Sequence, residues 1–323
     1  MEPILDVRHI KTHFPVEKSW LGKVLSKVHA VDDISFQLHE GETLGLVGES
    51  GCGKSTLGRS LLQLVRPTAG QVLFKGQDLC QMTASELRPL RRQLQMVFQD
   101  PYSSLNPRMT IEDILSEPFI IHKSSHSKSL RFTLEALLEK VGLPKAALNK
   151  YPHEFSGGQR QRIGIARAIA LQPSIIVADE PVSALDVSVQ SQILNLLKDL
   201  KEELKLGYIF IAHDLAVVEH ISDRVAVMYL GKIVEIAESL DLYHNPIHPY
   251  TQALIAAVPK VGQPRKGRRK VLQGDVPSPI HPPSGCHFHT RCPKATDLCK
   301  RVAPQLEITH HETSHQVACH HKD

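Results

Sequence analysis

No apolar run in this 323-residue chain approaches the roughly 20 residues that span a bilayer, and Arg167, Gln172 and Pro173 interrupt the best candidate. Any membrane process it serves must therefore cross the bilayer through other subunits. The start lacks a basic-then-apolar leader, because Met1-Glu2-Pro3 runs straight into strand-like Ile4-Leu5-Asp6-Val7, so no secretory signal is expected. No strong charge excess is present either. A formal charge of +4 does not argue for nucleic acid, and suits a mildly basic face near a membrane surface equally well. Six cysteines are too unevenly spread for a disulfide framework, since Cys286, Cys292, Cys299 and Cys319 all fall near the end. In a cytosolic chain that pattern favours metal over disulfides. The only tryptophan, Trp20, lies in Lys18–Lys27, a stretch expected to be an exposed loop between two strands. The length accommodates one large domain with an appendage, or two domains.

What is present is organised around Gly48-Glu49-Ser50-Gly51-Cys52-Gly53-Lys54-Ser55-Thr56. The apolar Thr43–Val47 before it reads as a buried strand. Leu57, Leu61, Leu62 and Val65 after it have the spacing of one helix face. Strand, glycine-rich loop and helix form the context in which G-x-x-x-x-G-K-S binds phosphate: backbone N–H groups turn inward and the helix start adds its dipole. Lys54 would reach the β- and γ-phosphates and the Ser55 hydroxyl would hold Mg²⁺. Cys52 reads as a small tolerated side chain.

Further strands are expected where Ile34, Phe36 and Leu38 alternate with polar residues, and at Gly70–Phe74 and Leu94–Phe98, the last running into Gln99. Residues 102–150 change to polar turns, a Ser/His/Lys-rich loop at Lys123–Ser129 and a helical pattern at Leu130–Val141. Phe155-Ser156-Gly157-Gly158-Gln159 then opens a helix, which is either an ordinary helix entry or an anion-binding one. Ile175–Glu180 is a continuous apolar run ending in Asp179 and Glu180, as a buried parallel strand would be. Ser183–Asp186, a helix over Val189–Leu204, a strand over Tyr208–Ala212 and His213 follow. Such alternation means an α/β layer fold with a largely parallel core. Phe14 is the aromatic best suited to stack on a nucleotide base, with a plain core or turn aromatic as the alternative.

In this order the segments resemble the ATP-binding subunits of ABC transporters, over nearly the whole chain. Gly48–Ser55 is similar to the phosphate loop, Gln99 to the Q-loop and Phe155–Gln159 to the signature sequence, with Phe155 where leucine is commoner. Ile175–Glu180 is similar to the Walker B strand, Ser183–Asp186 to the D-loop and His213 to the switch histidine. The resemblance implies a P-loop NTPase fold of the ABC type: a mixed sheet core, an antiparallel β part and a helical subdomain at about 100–160, within a domain over 1–240. It implies ATP hydrolysis with Lys54, Gln99, Glu180 and His213 as catalytic groups, and Mg²⁺ held by Ser55, Gln99 and Asp179. ATP would be contacted by Phe14, by Gly48–Thr56, and by Ser156, Gly157, Gly158, Gln159 and Asp186. Two such chains meet head to tail, so a second ATPase subunit, a paralogue in a heterodimer, is implied.

Residues 241–323 form an extension. Asn245-Pro246-Ile247-His248-Pro249-Tyr250-Thr251-Gln252-Ala253-Leu254 resembles the one on ATPases of dipeptide and oligopeptide permeases, and the wider sequence is most like the second ATPase of a dipeptide permease. That implies uptake of small peptides, two transmembrane permease subunits, an extracytoplasmic substrate-binding protein, no nucleic acid, and a place on the cytoplasmic face of the inner membrane. Nickel, glutathione, antimicrobial peptides or oligosaccharides are alternative cargoes. A soluble ABC-type ATPase is the remaining alternative, and the long insertions or second ATPase domain it requires are missing. Pro264–Lys270 reads as a basic, solvated linker. Cys286, Cys292, Cys299 and Cys319 lack the tight C-x2-4-C pairs usual for zinc. The resemblance implies a [4Fe–4S] cluster there. Zinc with His287, His289, His310, His311, His315, His320 and His321, or no metal, are the alternatives. A tail this short is expected to bury little core of its own and to depend on a metal for its fold.

Overall fold

A computed structural model of the chain describes residues 2–18, 24–100, 102–123, 130–258, 274–309 and 314–322. Trp20, most of the Lys123–Ser129 loop, the Pro264–Lys270 segment, His310 and His311 lie outside the described residues. Two compact units are present: Met1–Leu38, Thr43–Cys80 and Ile211–Asp323 form the first, and His39–Glu42 with Gln81–Phe210 the second. From the amino terminus, β1 (Leu5–Lys18), β2 (Val24–Leu38), β3 (Thr43–Val47), α1 (Lys54–Leu61), β4 (Ala69–Phe74) and β5 (Gln77–Asp78) belong to the first unit. The second holds α2 (Ala84–Leu90), β6 (Leu94–Val97), α3 (Ile111–Ile121), α4 (Leu130–Lys140), α5 (Gly157–Ile169), β7 (Ile175–Asp179), α6 (Val187–Leu204) and, save its last residue, β8 (Gly207–Ile211). The chain returns to the first with α7 (Leu215–Ile221), β9 (Arg224–Tyr229), β10 (Lys232–Glu238), α8 (Ser239–His244) and α9 (Pro249–Ala257). The tail adds α10 (Asp297–Arg301), β11 (Glu307–Ile308) and β12 (Gln316–Val317).

In the first unit, β2-β1-β4-β5 form an antiparallel sheet and β11-β12-β10-β9-β3 follow one another in a second. The alternation in β2 does what it predicts: Ile34, Phe36 and Leu38 are buried while Gln37 is exposed. β3 is apolar on both faces, all five residues are buried, and it pairs in parallel with β9, Leu44 opposite Arg224 and Val47 opposite Val227. Each fully buried Leu, Ile or Val contributes about 1.5–3 kcal/mol, so Leu5, Val7, Ile10, Val72 and Phe74 weld the antiparallel sheet together.

Two expectations need correcting here. The stretch Lys18–Lys27 is not a loop throughout, since β1 extends to Lys18 and β2 begins at Val24, with Lys18 opposite Val24. Polar alternation (Glu17, Lys18, Ser26, Lys27) disguised a solvated hairpin arm. The helix after the phosphate loop stops at Leu61, so Leu62 and Val65 do not extend its face. Gln63 turns left-handed at φ 54, and Leu64 N–H reaches back to Arg59 O at 2.9 Å. That is a Schellman-type stop ahead of Pro67.

In the second unit β8-β7-β6 are neighbours, with β6 and β7 parallel. The helical insertion is α3 and α4 packed on α5 through Ile111, Ile114, Leu115, Leu134, Leu138 and Ile163. Thr110 opens α3 with a reciprocal capping box to Asp113. Buried Arg160 pins the entry to α5, its Nε donating to Pro152 O at 2.7 Å while its guanidinium stacks 3.9 Å over Tyr102.

The tail reaches a core by packing on the rest of its unit. Phe288 is 1% exposed and meets Tyr229 and Tyr250 at ring-centroid distances of 5.2 and 5.4 Å. Aromatics supplied by β9 and α9 give a short segment a hydrophobic seat it could not make alone. Its end is fastened by His315, whose Nε2 lies 2.8 Å from the buried Glu235 and whose Nδ1 lies 2.5 Å from Asp241. Both ring nitrogens are thus committed to carboxylates, so His315 is removed from the set of metal-ligand alternatives. Glu235 also accepts the amides of Ile247 at 2.7 Å and His248 at 3.0 Å, and β12 pairs antiparallel with β10 alongside.

Burial would push the His315 pKa down, but hydrogen bonds and charge from Glu235 and Asp241 outweigh it and hold it above the usual value. A raised folded pKa contributes stability that is complete below the unfolded value near 6.5 and is lost as pH rises through the folded one. Tail docking should therefore be tighter at pH 6 than at pH 9, read as hydrogen exchange at Gln316 and Val317. In His315→Gln that pH dependence should vanish.

Candidate functional site

The phosphate loop leaves β3 and closes on α1 through left-handed glycines. A Cβ on Gly48 (φ 153) would lie 2.1 Å from Met228 O, and one on Gly53 (φ 105) 1.9 Å from Ala30 O. Those carbonyl walls make glycine obligatory at both positions. Gly53 caps α1 and its carbonyl takes the Leu57 amide at 2.8 Å, so the helix starts at Lys54 with its first N–H groups facing the loop. Lys54 is buried and its Nζ donates to Gly48 O at 2.7 Å and Glu49 O at 3.0 Å. Ser50 and Gly51 are exposed, and Ser55 and Thr56 half-buried on the first turn. Cys52 is buried, and burial pushes its thiol up against the opposing pull of Lys54, which suits an inert packing side chain. His213 is exposed between β8 and α7 in this same unit. Phe14, opposite Val28 in β1, is 39% exposed and so not a core aromatic.

The second unit carries the acidic half of the predicted set. β7 is buried throughout and ends at Asp179, 1% exposed. Glu180 follows with φ 47, a conformation that costs a non-glycine residue about 1 kcal/mol or more. It turns the chain so that the carboxylate leaves the strand, where Gln99 Nε2 donates to Glu180 Oε2 at 2.9 Å. Two residues 81 apart in sequence, both singled out by resemblance, are thereby brought together. Ser183 N–H and Oγ bond back to Glu180 O, and Gln190 Nε2 holds Val182 O and Leu185 O, each at 3.0 Å, which fixes the turn before exposed Asp186.

Ser156 caps α5: its Oγ accepts from Gln159 N–H at 3.4 Å, and Gln159 Oε1 accepts from Ser156 N–H at 3.0 Å. Phe155 is the buried anchor, while Ser156 and Gln159 are exposed and Gly157 and Gly158 half-exposed. The start of α5 is therefore exposed at Ser156 and Gln159.

In the tail, Cys286 N–H donates to Cys299 O at 2.8 Å, and burial together with the other three cysteines pushes the Cys286 thiol up to about 11. His321 Nε2 lies 3.8 Å from Cys299 Sγ. Sequence reasoning missed His13, His29 and Asp32, whose ligand atoms lie within 4.8 Å of one another. Lys232 Nζ already sits 3.2 Å from Asp32 Oδ2, and Lys27 adds positive charge beside both histidines. This trio reads as a pairing network for lysine and not as a cation site.

Residues 31–183 match the ABC transporter family, and residues 234–299 match the oligopeptide/dipeptide transporter C-terminal region. The oligopeptide transport ATP-binding protein AppF of Bacillus subtilis is 54% identical over 323 residues, 99% of this chain and 97% of its own length. The putative oligopeptide transport ATP-binding protein YkfD of the same organism is 53% identical, covering 98% and 95%. Among solved structures, the ATP-binding cassette MJ0796, a dimer in a post-hydrolysis state bound to ADP and Pi, aligns with TM-score 0.65 and 27% identity over 73% of this chain and 98% of that one. Such a fold, with a phosphate loop and a strand-end carboxylate pair, defines an ATP-hydrolysing cassette. The chain belongs to the ABC transporter family, in the group of ATP-binding proteins that carry the oligopeptide/dipeptide transporter C-terminal region.

Gly53→Ala places a methyl group against Ala30 O in a left-handed turn. It should abolish binding of a fluorescent ATP analogue, whereas Gly51→Ala, whose Cβ meets nothing within 4 Å, should bind more than Gly53→Ala does.

Proposed function

We propose that this chain powers the uptake of di- and oligopeptides, hydrolysing ATP on behalf of two separate transmembrane permease subunits. The observation that carries the reading is near-full-length identity to oligopeptide transport ATP-binding proteins, extension included. No helix among the described residues is long and apolar enough to cross a membrane, so the reading assigns the crossing to partner subunits and this chain to their cytoplasmic face. An extracytoplasmic binding protein would deliver the peptide.

The side chains divide the work as follows. Lys54, resting on two loop carbonyls, would exchange them for β- and γ-phosphate oxygens. Ser55, Gln99 and Asp179 offer a hydroxyl, an amide oxygen and a carboxylate, hard oxygen donors that fit Mg²⁺. The ion, when bound, supplies charge neutralisation for the γ-phosphate. Glu180 would take the proton of the attacking water or orient it, and His213 would hold the water against the γ-phosphate. Phe14, exposed on its hairpin arm, would stack on the adenine. Ser156, Gly157, Gly158 and Gln159, with Asp186 of the D-loop, would close on ATP held by the Lys54 loop of a second ATPase subunit. The exposed start of α5 supports that head-to-tail pairing. Closure on ATP and reopening after hydrolysis would rock the permease subunits.

Glu180→Gln should lower ATP turnover by about 10²–10⁴-fold while retaining ATP binding, and uptake of labelled di- and tripeptides by cells carrying it should fall to background. Unchanged uptake by cells that contain the variant would exclude peptide cargo. Near-normal hydrolysis would remove Glu180 from its role.

We infer that Cys286, Cys292, Cys299 and Cys319 hold a [4Fe–4S] cluster, for which four cysteine thiolates are the usual ligand set. The cluster, when bound, would cross-link the tail. Anaerobically purified protein should contain about four irons and four acid-labile sulfides per chain, and stoichiometric zinc without sulfide would overturn the assignment.

A further inference from the structure

Glu49, the second residue of the phosphate loop, is held at every polar group it has. Its carboxylate takes a two-pronged bond from Arg291, Nη1 to Oε2 at 2.7 Å and Nη2 to Oε1 at 3.0 Å. Its amide donates to the Tyr250 hydroxyl at 2.9 Å, and its carbonyl accepts from Lys54 Nζ at 3.0 Å. Two of those three partners come from the extension, more than 200 residues along the chain. Arg291 is 6% exposed at its side chain and Glu49 27%. A buried guanidinium in fork geometry on a carboxylate is the strongest ordinary form of charge-assisted bond. The Arg291 backbone is tied to the aromatic seat, its N–H donating to Phe288 O at 3.0 Å while the Phe288 ring packs against Tyr229 and Tyr250.

The loop that Arg291 grips receives a triphosphate. An unpaired Glu49 carboxylate there would set a full negative charge close to the phosphates and free the loop from the fork that holds that side chain's tip. We propose that Arg291 is a positioning residue for ATP binding: carried by the cysteine-rich tail, it neutralises Glu49 and fixes the phosphate loop, so that nucleotide affinity depends on the docked tail. The proposal rests on ATP being bound by the Gly48–Thr56 loop. Tyr250 serves the same end by fixing the Glu49 amide.

The test uses the full chain in its assembled transporter, with KM for ATP and kcat measured separately. A unit charge several ångströms from the phosphates in a surface-like dielectric is worth about a factor of ten, so Arg291→Ala should raise KM about tenfold and alter kcat by less than about twofold. Arg291→Lys, which keeps the charge but loses the fork, should fall between wild type and Arg291→Ala. Arg291→Ala combined with Glu49→Gln should regain most of the affinity, because the freed anion is gone. Folding is checked for each variant by circular dichroism. A folded Arg291→Ala with wild-type KM overturns the proposal, as does a double variant no better than the single one, which would mean a merely structural bond. Should Arg291→Ala fail to fold, wild-type KM in Arg291→Lys overturns it. Hydrolysis by wild type and none by Lys54→Ala in the same assay keeps a failure here distinct from a failure of the nucleotide reading.

Discussion

The first unit depends on a loop that has no room. Gly48 and Gly53 run so close to the carbonyls of Met228 and Ala30 that even a methyl group is excluded. Because both walls are backbone, the loop can hold its shape only while β9 and the start of the β2 core stay where they are. The parallel pairing of β3 with β9 sets the first wall and the long β1–β2 hairpin the second. The turn after β9 contributes directly as well, Gly231 N–H donating to Cys52 O at 3.0 Å. Phosphate binding here is thus a property of strand placement, and the loop's own residues mostly have to stay out of the way.

Parts of this were readable in advance because their signals are local. The glycine-lysine-serine loop, the four-residue apolar run Ile175–Ala178 of β7 and the helix entry at Phe155–Gln159 each occupy a few consecutive residues. Their chemistry is fixed by spacing. Gln99 and Glu180 were named by resemblance; that they touch could not be read from either segment alone. What escaped was long-range. Nothing around Glu49 announces a partner 242 residues away, and nothing around Glu235 announces one at a separation of 80. A histidine between two carboxylates has the same sequence appearance as a metal ligand, which is why His315 was open to that reading. The early end of α1 was hidden for another reason: leucine-rich spacing continued past a left-handed residue at Gln63 that no hydrophobic pattern encodes.

The extension emerges as a folded part of the first unit. It returns a strand to β10, fills an aromatic seat with Phe288 and meets a wholly buried carboxylate, Glu235, with a histidine and two amides. Buried charge is tolerated only where it is paired this completely. His248 lies beside it on the α9 start, buried, with burial lowering its pKa to about 4, so it stays neutral and accepts from the Tyr250 amide. His315, bonded to Glu235, and neutral His248 beside it set the path of the chain into the residue that touches the phosphate loop.

The bond from Gln99 to Glu180 has a consequence for fuel economy. While the amide occupies one carboxylate oxygen, that oxygen is a poorer acceptor for a water proton, and the strained turn at Glu180 keeps the group from drifting into a better one. On the proposal that Glu180 is the base, a subunit loaded with nucleotide but not engaged in transport would idle with that base engaged. On that proposal, one hydrogen bond between residues 81 apart in sequence would hold the base in reserve and make idling cheap.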